Sequence, residues 1–151
     1  MEHHFIEDHY DPLFQELFKK YFNELGIKVE NWDGIFEEMN DCVKKYNLLT
    51  LIISYEMKVI GFLQFQKDEL SNWFFNESIG FIREFYIDIK YRGKGYGTKL
   101  LALALGWFKN EGILKVLLTS DTADQFYLKH GFKKDKAYNA KNQLPIFVID
   151  L

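Results

Sequence analysis

The residues Tyr91-Arg92-Gly93-Lys94-Gly95-Tyr96-Gly97-Thr98 stand between a predicted strand and a predicted helix, and they decide the fold. Three glycines at every second position let the backbone turn tightly and come close to a ligand. The helix that follows contributes free N–H groups and the positive end of its dipole, and Arg92 and Lys94 add charge. Together these features predict an anion site suited to phosphate.

Three phosphate-binding patterns compete for this stretch, and two of them fail on spacing. A P-loop needs Gly, four residues and then Gly-Lys-Ser/Thr, but the fifth residue after Gly93 is Thr98. The dinucleotide fingerprint Gly-x-Gly-x-x-Gly fails too, because no window that starts at one of the first two glycines ends in glycine. The pattern Arg/Gln-x-x-Gly-x-Gly/Ala does match, with Arg92, Gly95 and Gly97.

A second motif further along the chain makes the match specific. Residues 123–132 read Ala-Asp-Gln-Phe-Tyr-Leu-Lys-His-Gly-Phe and fill the pattern Ala-x-x-Phe-Tyr-x-x-x-Gly-Phe in full. With the glycine-rich stretch and the apolar helix between them, they resemble the acetyl-CoA-binding motifs of the GNAT superfamily of N-acetyltransferases. The resemblance runs from about Ile82 to Phe132, and the residues before it carry no motif of their own.

The resemblance implies a single-domain GNAT fold over residues 1–151, of the α/β (α+β) class. That fold is a mixed, mostly antiparallel sheet with one splayed parallel pair and with helices on both faces. Periodicity predicts a compatible order of elements. We expect helices from Asp11-Pro12, from about Asp33, and over 98–110 and 122–130; strands over 50–55, 58–66, 81–89, 115–120 and 144–151; a mixed loop over 67–80; and short strands near 3–7 and Tyr138.

The resemblance also implies where acetyl-CoA binds as co-substrate. Backbone N–H groups of the loop and the helix start hold the CoA pyrophosphate. Pantetheine lies between the splayed strands 81–89 and 115–120, where an amide of β-strand backbone hydrogen-bonds the thioester carbonyl. The cofactor-binding residues predicted in this way are Phe85, Tyr86, Ile87, Arg92, Gly93, Lys94, Gly95, Tyr96, Gly97 and Thr98.

Two side chains are predicted to be catalytic. Tyr127 occupies the position of the family's general acid, which gives a proton to the departing CoA thiolate; the alternative is a core tyrosine next to Phe126. An alkylamine is mostly protonated near neutral pH and needs a base before it can attack. Glu84 is the first candidate for that base, and the alternative is a strand residue that is solvated or paired with Arg83. If the strand alternates regularly, Glu84 and Tyr86 share one face.

Composition limits the compartment and the partners. The chain of 151 residues has 19 basic and 22 acidic residues and a formal charge of −3, so no basic excess indicates nucleic acid or an anionic membrane. A single cysteine, Cys42, rules out an internal disulfide and a cysteine-based zinc site. The histidines His3, His4 and His9 have no fixed ligand spacing, so no metal site is predicted. With neither a signal peptide nor an apolar span evident, we expect a soluble, cytoplasmic protein.

The acceptor is the least defined part of the prediction. Aromatic residues make up 18% of the chain, and many lie at helical spacing, where they are predicted core. Trp73, Phe74 and Phe75 lie in the predicted loop and must pack on a neighbouring element, on a second copy in a homodimer, or on the acceptor. The leading interpretation is acetyl transfer to a primary amine of a small molecule. The alternatives are acetylation of a protein or peptide amine and a non-catalytic CoA-binding module of the same fold.

Overall fold

The structure, a computed structural model, describes residues 1–71, 76–120 and 122–151. The strands are β1 (Glu2–Ile6), β2 (Leu49–Tyr55), β3 (Lys58–Ser71), β4 (Asn76–Ile87), β5 (Lys115–Thr119), β6 (Lys133–Lys134) and β7 (Ile146–Asp150). The helices are α1 (Pro12–Glu24), α2 (Trp32–Tyr46), α3 (Tyr96–Asn110) and α4 (Asp124–Lys129), and a 3-10 turn, Ile89–Tyr91, joins β4 to α3.

One mixed sheet contains these seven strands, in the order β1-β2-β3-β4-β5-β7-β6. Every neighbouring pair is antiparallel except β4 and β5, which are parallel. The parallel ladder has only two residue pairs, Gly80 with Val116 and Phe81 with Leu117, although β4 continues to Ile87. The two strands therefore separate beyond Phe81, and the predicted splayed parallel pair is confirmed.

Helices cover both faces of the sheet because the strands alternate in the direction of their apolar side chains. In β2, Ile52 packs on the side of α1 and α2, whereas Leu51 and Ile53 pack on the side of α3. The predicted helices on both faces are thus confirmed. The helical parts of the two cores are Phe14, Leu17, Phe18 and Phe36 on one side and Leu100, Leu101, Ala104 and Phe108 on the other.

Helix α1 starts and stops at residues that the sequence marks clearly. The side chain of Asp11 accepts hydrogen bonds from the N–H groups of Leu13 and Phe14, and Pro12 occupies the first turn. At the other end Gly26 has a φ of +73°, a left-handed conformation that favours glycine. These two signals determine where α1 begins and ends. Its last turn lies beside the carboxyl end of β4.

Helix α3 packs directly on β4, near the point where β4 and β5 separate. A Cβ atom built on Gly80 would lie 2.8 Å from the ring of Phe108, so only glycine allows this approach. Because Gly80 is also where β4 and β5 pair, α3 is held close to the point at which the strands separate. None of the helices in the described part of the chain is long and apolar enough to cross a membrane.

Some predicted boundaries were wrong. Within the segment expected to be a loop over 67–80, residues 67–71 pair with residues 76–80 and extend the β3–β4 hairpin. Because most of these side chains are polar, the sequence shows no apolar alternation there, although the backbone continues the ladder. The short strand expected at Tyr138 is instead Lys133–Lys134, and Tyr138 packs on a small cluster that includes Ile79. Trp73, Phe74 and Phe75 lie outside the described residues, and their predicted role stays a prediction.

Candidate active site

A cleft of about 720 Å³ opens where β4 and β5 separate. Its floor is apolar: Phe85 of β4 and Phe126 of α4 meet edge to face, with 5.7 Å between ring centroids, and Ile87 lies beside them. The cleft therefore fills the gap that the short parallel ladder leaves. The remaining lining residues are Tyr21, Glu24, Leu25, Tyr86, Tyr91, Arg92, Gly93, Gly95, Tyr96, Gly97, Thr98, Thr122, Ala123, Tyr127, Lys129 and His130.

One end of the cleft is the N-terminus of α3. Gly95 is the N-cap residue, with a φ of +88°, and no side chain caps the helix. Within residues 1–71, 76–120 and 122–151, no group accepts a hydrogen bond from the N–H groups of Tyr96, Gly97 and Thr98. These free donors and the positive end of the helix dipole suit an anion. The backbone of the predicted phosphate loop is therefore arranged as an anion site requires.

The glycines of this loop serve two different purposes. Gly93 and Gly95 have φ values of +75° and +88°, and a Cβ on either would meet nothing within 4 Å, so their requirement is conformational. A Cβ on Gly97 would lie 3.6 Å from Ile87 and 3.6 Å from Phe126. A side chain longer than a methyl group at position 97 would therefore enter the floor of the cleft.

The edge of β4 forms one long wall of the cleft. Beyond Phe81 this edge has no partner strand in the described residues. Backbone groups left without a partner favour an extended ligand that carries its own amides, as in strand addition to a sheet. At the end of the edge, Nε of Arg92 donates to the carbonyl oxygen of Ile87 at 2.8 Å. The free edge is thus available over the residues just before Ile87.

The two cations of the loop differ in their surroundings. Nη2 of Arg92 lies 2.7 Å from Oε2 of Glu24, and its guanidinium carbon lies 5.3 Å from the centroid of the Tyr86 ring. The guanidinium of Arg92 is therefore paired with a carboxylate of α1. Nζ of Lys94 lies 5.7 Å from the Tyr91 ring centroid, and Lys94 is exposed and does not line the cleft. Of the predicted cofactor residues it is the one outside the lining set.

His130 joins α4 to the start of α3. Its Nδ1 lies 2.7 Å from the carbonyl oxygen of Phe126, so Nδ1 donates. In the neutral ring Nε2 is then an acceptor, and the Thr98 hydroxyl, 3.0 Å away, donates to it. The ring thus connects the last turn of α4 to the first turn of α3.

Tyr127 of α4 lines the cleft. It is 8% exposed, and its ring packs against Phe132 and Phe147 with centroid distances of 5.6 and 5.9 Å. In the described part of the chain its hydroxyl has no hydrogen-bond partner, although the residue lines the cleft. Burial, and then the charge of Glu84, raise the pKa of Tyr127 to about 12. The phenol therefore carries its proton at neutral pH and is free to donate it.

Glu84 faces α1 and is bonded to a residue of that helix. The hydroxyl of Tyr21 donates to Oε2 of Glu84. Tyr86 lies on the same side of the sheet, with its ring centroid 5.0 Å from that of Tyr21, as the expected alternation requires. Burial raises the pKa of Glu84, and the Tyr21 hydrogen bond and the charge of Arg83 oppose this only in part. Arg83 itself donates to Gln66 at 3.1 Å and does not form the ion pair considered for it.

Three cleft residues at the end of α1 were missed by sequence reasoning. Tyr21, Glu24 and Leu25 line the cleft, whereas aromatic residues at helical spacing, such as Tyr21, were predicted to be core. No local signal distinguishes them, because their position depends on how α1 crosses the end of β4. The structure brings Tyr21 and Glu84 together across 63 residues of sequence.

Fold and cleft together give a mixed sheet whose parallel strands separate, with an apolar cleft in the gap and free N–H groups of α3 on its lining. A family model for the acetyltransferase (GNAT) family matches residues 4–132. The chain belongs to this family, and it is an acyltransferase with acetyl-CoA as its co-substrate. The family resemblance inferred from the two motifs is confirmed. No curated protein sequence matches the chain significantly.

Solved structures show the same fold at low sequence identity. PaiA N-acetyltransferase from Thermoplasma acidophilum, in complex with coenzyme A, has a TM-score of 0.67 at 20% identity, with 100% of both chains covered. A predicted acetyltransferase with acetyl-CoA from Clostridium acetobutylicum has a TM-score of 0.77 at 19% identity, covering 92% of this chain and 94% of that one. A chain of the NatC complex bound to Gag peptide and CoA has a TM-score of 0.65 at 17% identity, covering 100% and 99%.

Proposed function

We propose that this protein transfers the acetyl group of acetyl-CoA directly to a primary amine of a small molecule. The observation that carries the proposal is a single cleft lined by free helix N–H groups, by Tyr127 as the proposed proton donor, and by Tyr21, whose hydroxyl donates to Glu84. A volume of about 720 Å³ falls within the range of small-molecule sites, and part of it must also take acetyl-CoA. That leaves little room for the acceptor, which supports a small one.

The residues present fit acetyl-CoA, which supplies the acetyl group as an activated thioester when bound. The N–H groups of residues 93–98 hold the pyrophosphate, since they have no other acceptor in the described part of the chain. The free edge of β4 over Phe85–Ile87 pairs with the amides of pantetheine. One of those strand amides donates to the thioester oxygen and stabilises the charge that develops there.

The proposed chemistry uses two proton transfers. Glu84 accepts the proton that the acceptor nitrogen loses as it becomes an amide, and its raised pKa makes it a stronger base than an exposed carboxylate. Tyr127 donates its proton to the sulfur that leaves as CoA thiol. With a pKa of about 12, Tyr127 remains protonated throughout the neutral range, so it is always ready to donate.

A turnover screen tests this function. Purified protein is incubated with acetyl-CoA and a panel of aromatic monoamines, aliphatic monoamines, polyamines, peptides with a free N-terminus and peptides with a free lysine, and CoA thiol release is measured. We expect release with at least one small amine and formation of the matching N-acetyl product by mass spectrometry. Transfer to peptides alone would replace the small-molecule acceptor with a protein or peptide amine. Tight CoA binding without transfer to any amine would contradict the proposal and indicate a binding module.

A further inference from the structure

Glu84 does not line the cleft, and Tyr21 lies between Glu84 and the cleft. Tyr21 lines the cleft, Glu84 does not, and the Tyr21 hydroxyl donates to Oε2 of Glu84. We propose that Tyr21 is a proton relay, which passes the proton of the acceptor amine to Glu84. The relay rests on the acetyl transfer proposed above and names the residue through which the acceptor reaches its base.

Packing holds the Tyr21 ring in the orientation that a relay needs. The ring has close aromatic neighbours on α1, β3 and β4: Phe18 at 5.7 Å, Phe62 at 5.6 Å and Tyr86 at 5.0 Å between centroids. With the ring fixed and its proton directed at Glu84, the oxygen of Tyr21 keeps its lone pairs for another donor. The cleft is the open side of this residue, so an acceptor N–H group is the donor that can reach it.

The protons and bonds of the relay balance. The acceptor amine enters in its neutral form; its nitrogen forms a bond to the acetyl carbon, and the bond between that carbon and sulfur breaks. The proton lost from nitrogen moves to the oxygen of Tyr21 while the hydroxyl proton of Tyr21 moves to Glu84. Tyr127 gives one proton to sulfur. After the products leave, the proton on Glu84 returns to solvent through Tyr21, and solvent restores the proton on Tyr127.

The surroundings of Tyr21 exclude a free phenolate as the base. Burial, and then the charge and the hydrogen bond of Glu84, raise the pKa of Tyr21 far above that of an exposed tyrosine. In the proposed relay the two proton movements are concerted, because burial and Glu84 disfavour a negative charge on Tyr21. The titratable and charged groups that act on this pair are Arg83 beside Glu84 on β4 and Tyr127 on α4.

Three variants test the relay: Tyr21→Phe, Glu84→Gln and the double variant. Phenylalanine keeps the ring contacts and removes only the hydroxyl. We expect each single variant to lower kcat by about 100- to 1,000-fold, as the loss of a general base does. The double variant should lose no more than either single one, because residues that act as a unit are not additive. Tyr46→Phe is the matched control, since Tyr46 is exposed at the end of α2 and does not line the cleft.

The pH profile of kcat separates a relay from a structural role. In the wild type, we expect activity to rise with pH as Glu84 loses its proton, and both single variants should lack this limb. A Tyr21→Phe variant that regains the wild-type plateau at higher pH would overturn the relay, because Tyr21 would then only tune Glu84. Additive losses in the double variant, or an unchanged kcat in Tyr21→Phe, would overturn it as well.

A carboxyl titration by ¹³C NMR gives a readout that does not depend on activity. The hydrogen bond from Tyr21 lowers the pKa of Glu84, so Tyr21→Phe should move the Glu84 titration to higher pH, while Tyr46→Phe leaves it in place. An unmoved titration would show that the pair does not form and would overturn the relay. A wild type that acetylates no amine in the panel would instead contradict the proposed function, and so the two failures are distinguishable.

Discussion

The two ends of the cleft are built from different chemical groups. The proposed cofactor end, formed by residues 92–98 and the free edge of β4, offers backbone N–H and carbonyl groups. The proposed acceptor end offers side chains: Tyr21 on α1 and Tyr127 on α4, which line the cleft, and Glu84 on β4, to which Tyr21 donates. A backbone site needs particular conformations and open space, whereas a side-chain site needs helices and strands that are distant in sequence to meet.

This difference determines what each kind of mutation should change. A substitution at the cofactor end should alter affinity for CoA and leave the chemistry of the bound complex intact. A substitution at the acceptor end should alter kcat and leave CoA affinity intact. If a substitution at one end changed the property assigned to the other, the two ends would not be separate sites.

The largest effect is expected from Gly97→Leu. The new side chain would enter the cleft floor between Ile87 and Phe126, which lie 3.6 Å from the position of a Cβ. We expect CoA affinity, measured by calorimetry, to fall about 1,000-fold or more, roughly 4 kcal/mol. Gly106→Leu on the same helix is the control, because Gly106 is exposed and a Cβ there meets nothing within 4 Å. Equal affinity in the two variants would mean that the cleft floor is not where CoA binds.

Tyr127→Phe should lower kcat by about 100-fold, the smaller end of the range for loss of a general acid. The Kd for CoA should not change, because the phenyl ring keeps its contacts with Phe132 and Phe147. Since the pKa of Tyr127 is about 12, the wild type should show no loss of activity from its ionisation below about pH 10. An unchanged kcat at every pH would remove Tyr127 from the catalytic machinery.

The same contrast explains what could be predicted from the sequence. The cofactor end depends on local residues, because glycines with positive φ and a helix start are encoded within a few positions of one another. Two such segments were enough to predict the sheet with its splayed pair and the loop that Gly93, Gly95 and Gly97 form. The local signal was weaker where the β3–β4 hairpin extends through polar residues, and those boundaries were wrong.

The acceptor end carries no comparable local signal. Tyr21 has the same helical spacing as the core residues Phe14 and Phe18, and nothing in the sequence separates a tyrosine that lines a cleft from one that fills a core. Glu84 could be proposed as a base from its strand, but its partner is 63 residues away. Only the crossing of α1 over β4 brings these two together, and that crossing is a tertiary property.

We expect acid to lower the free energy of unfolding because of the buried residue His9. This buried residue joins the segment before α1 to α2 and β2, with Nδ1 2.8 Å from Oδ1 of Asn40 and Nε2 2.7 Å from Oγ1 of Thr50. Burial lowers the pKa of His9 below its usual 6.5. As pH falls below about 6.5, the unfolded chain gains a proton that the folded chain resists, so the free energy of unfolding decreases.

His9→Gln tests this pH dependence. Glutamine does not titrate, so urea unfolding between pH 7.5 and 5 should show a flatter decline in the free energy of unfolding than in the wild type. At pH 7.5 the variant should be less stable by about 1–2 kcal/mol, because one or two buried hydrogen bonds are lost. His4→Gln, at an exposed position of β1, is the control and should keep the wild-type slope. A wild-type slope in His9→Gln would assign the acid sensitivity to other groups.

The smallest effect is expected from Glu24→Gln, which breaks the ion pair between α1, the helix that carries Tyr21, and Arg92 at the cofactor end. Arg92 and Glu24 have side chains 44% and 37% exposed, and an ion pair of that exposure contributes less than about 1 kcal/mol. Arg92 also keeps its 2.8 Å hydrogen bond to the carbonyl of Ile87, so the loop should stay in place. We expect CoA affinity and kcat each to change by less than about threefold, with unfolding in urea nearly unaltered. A tenfold loss of CoA affinity would show that α1 holds the cofactor end in shape, and the two ends could then no longer be treated as separate.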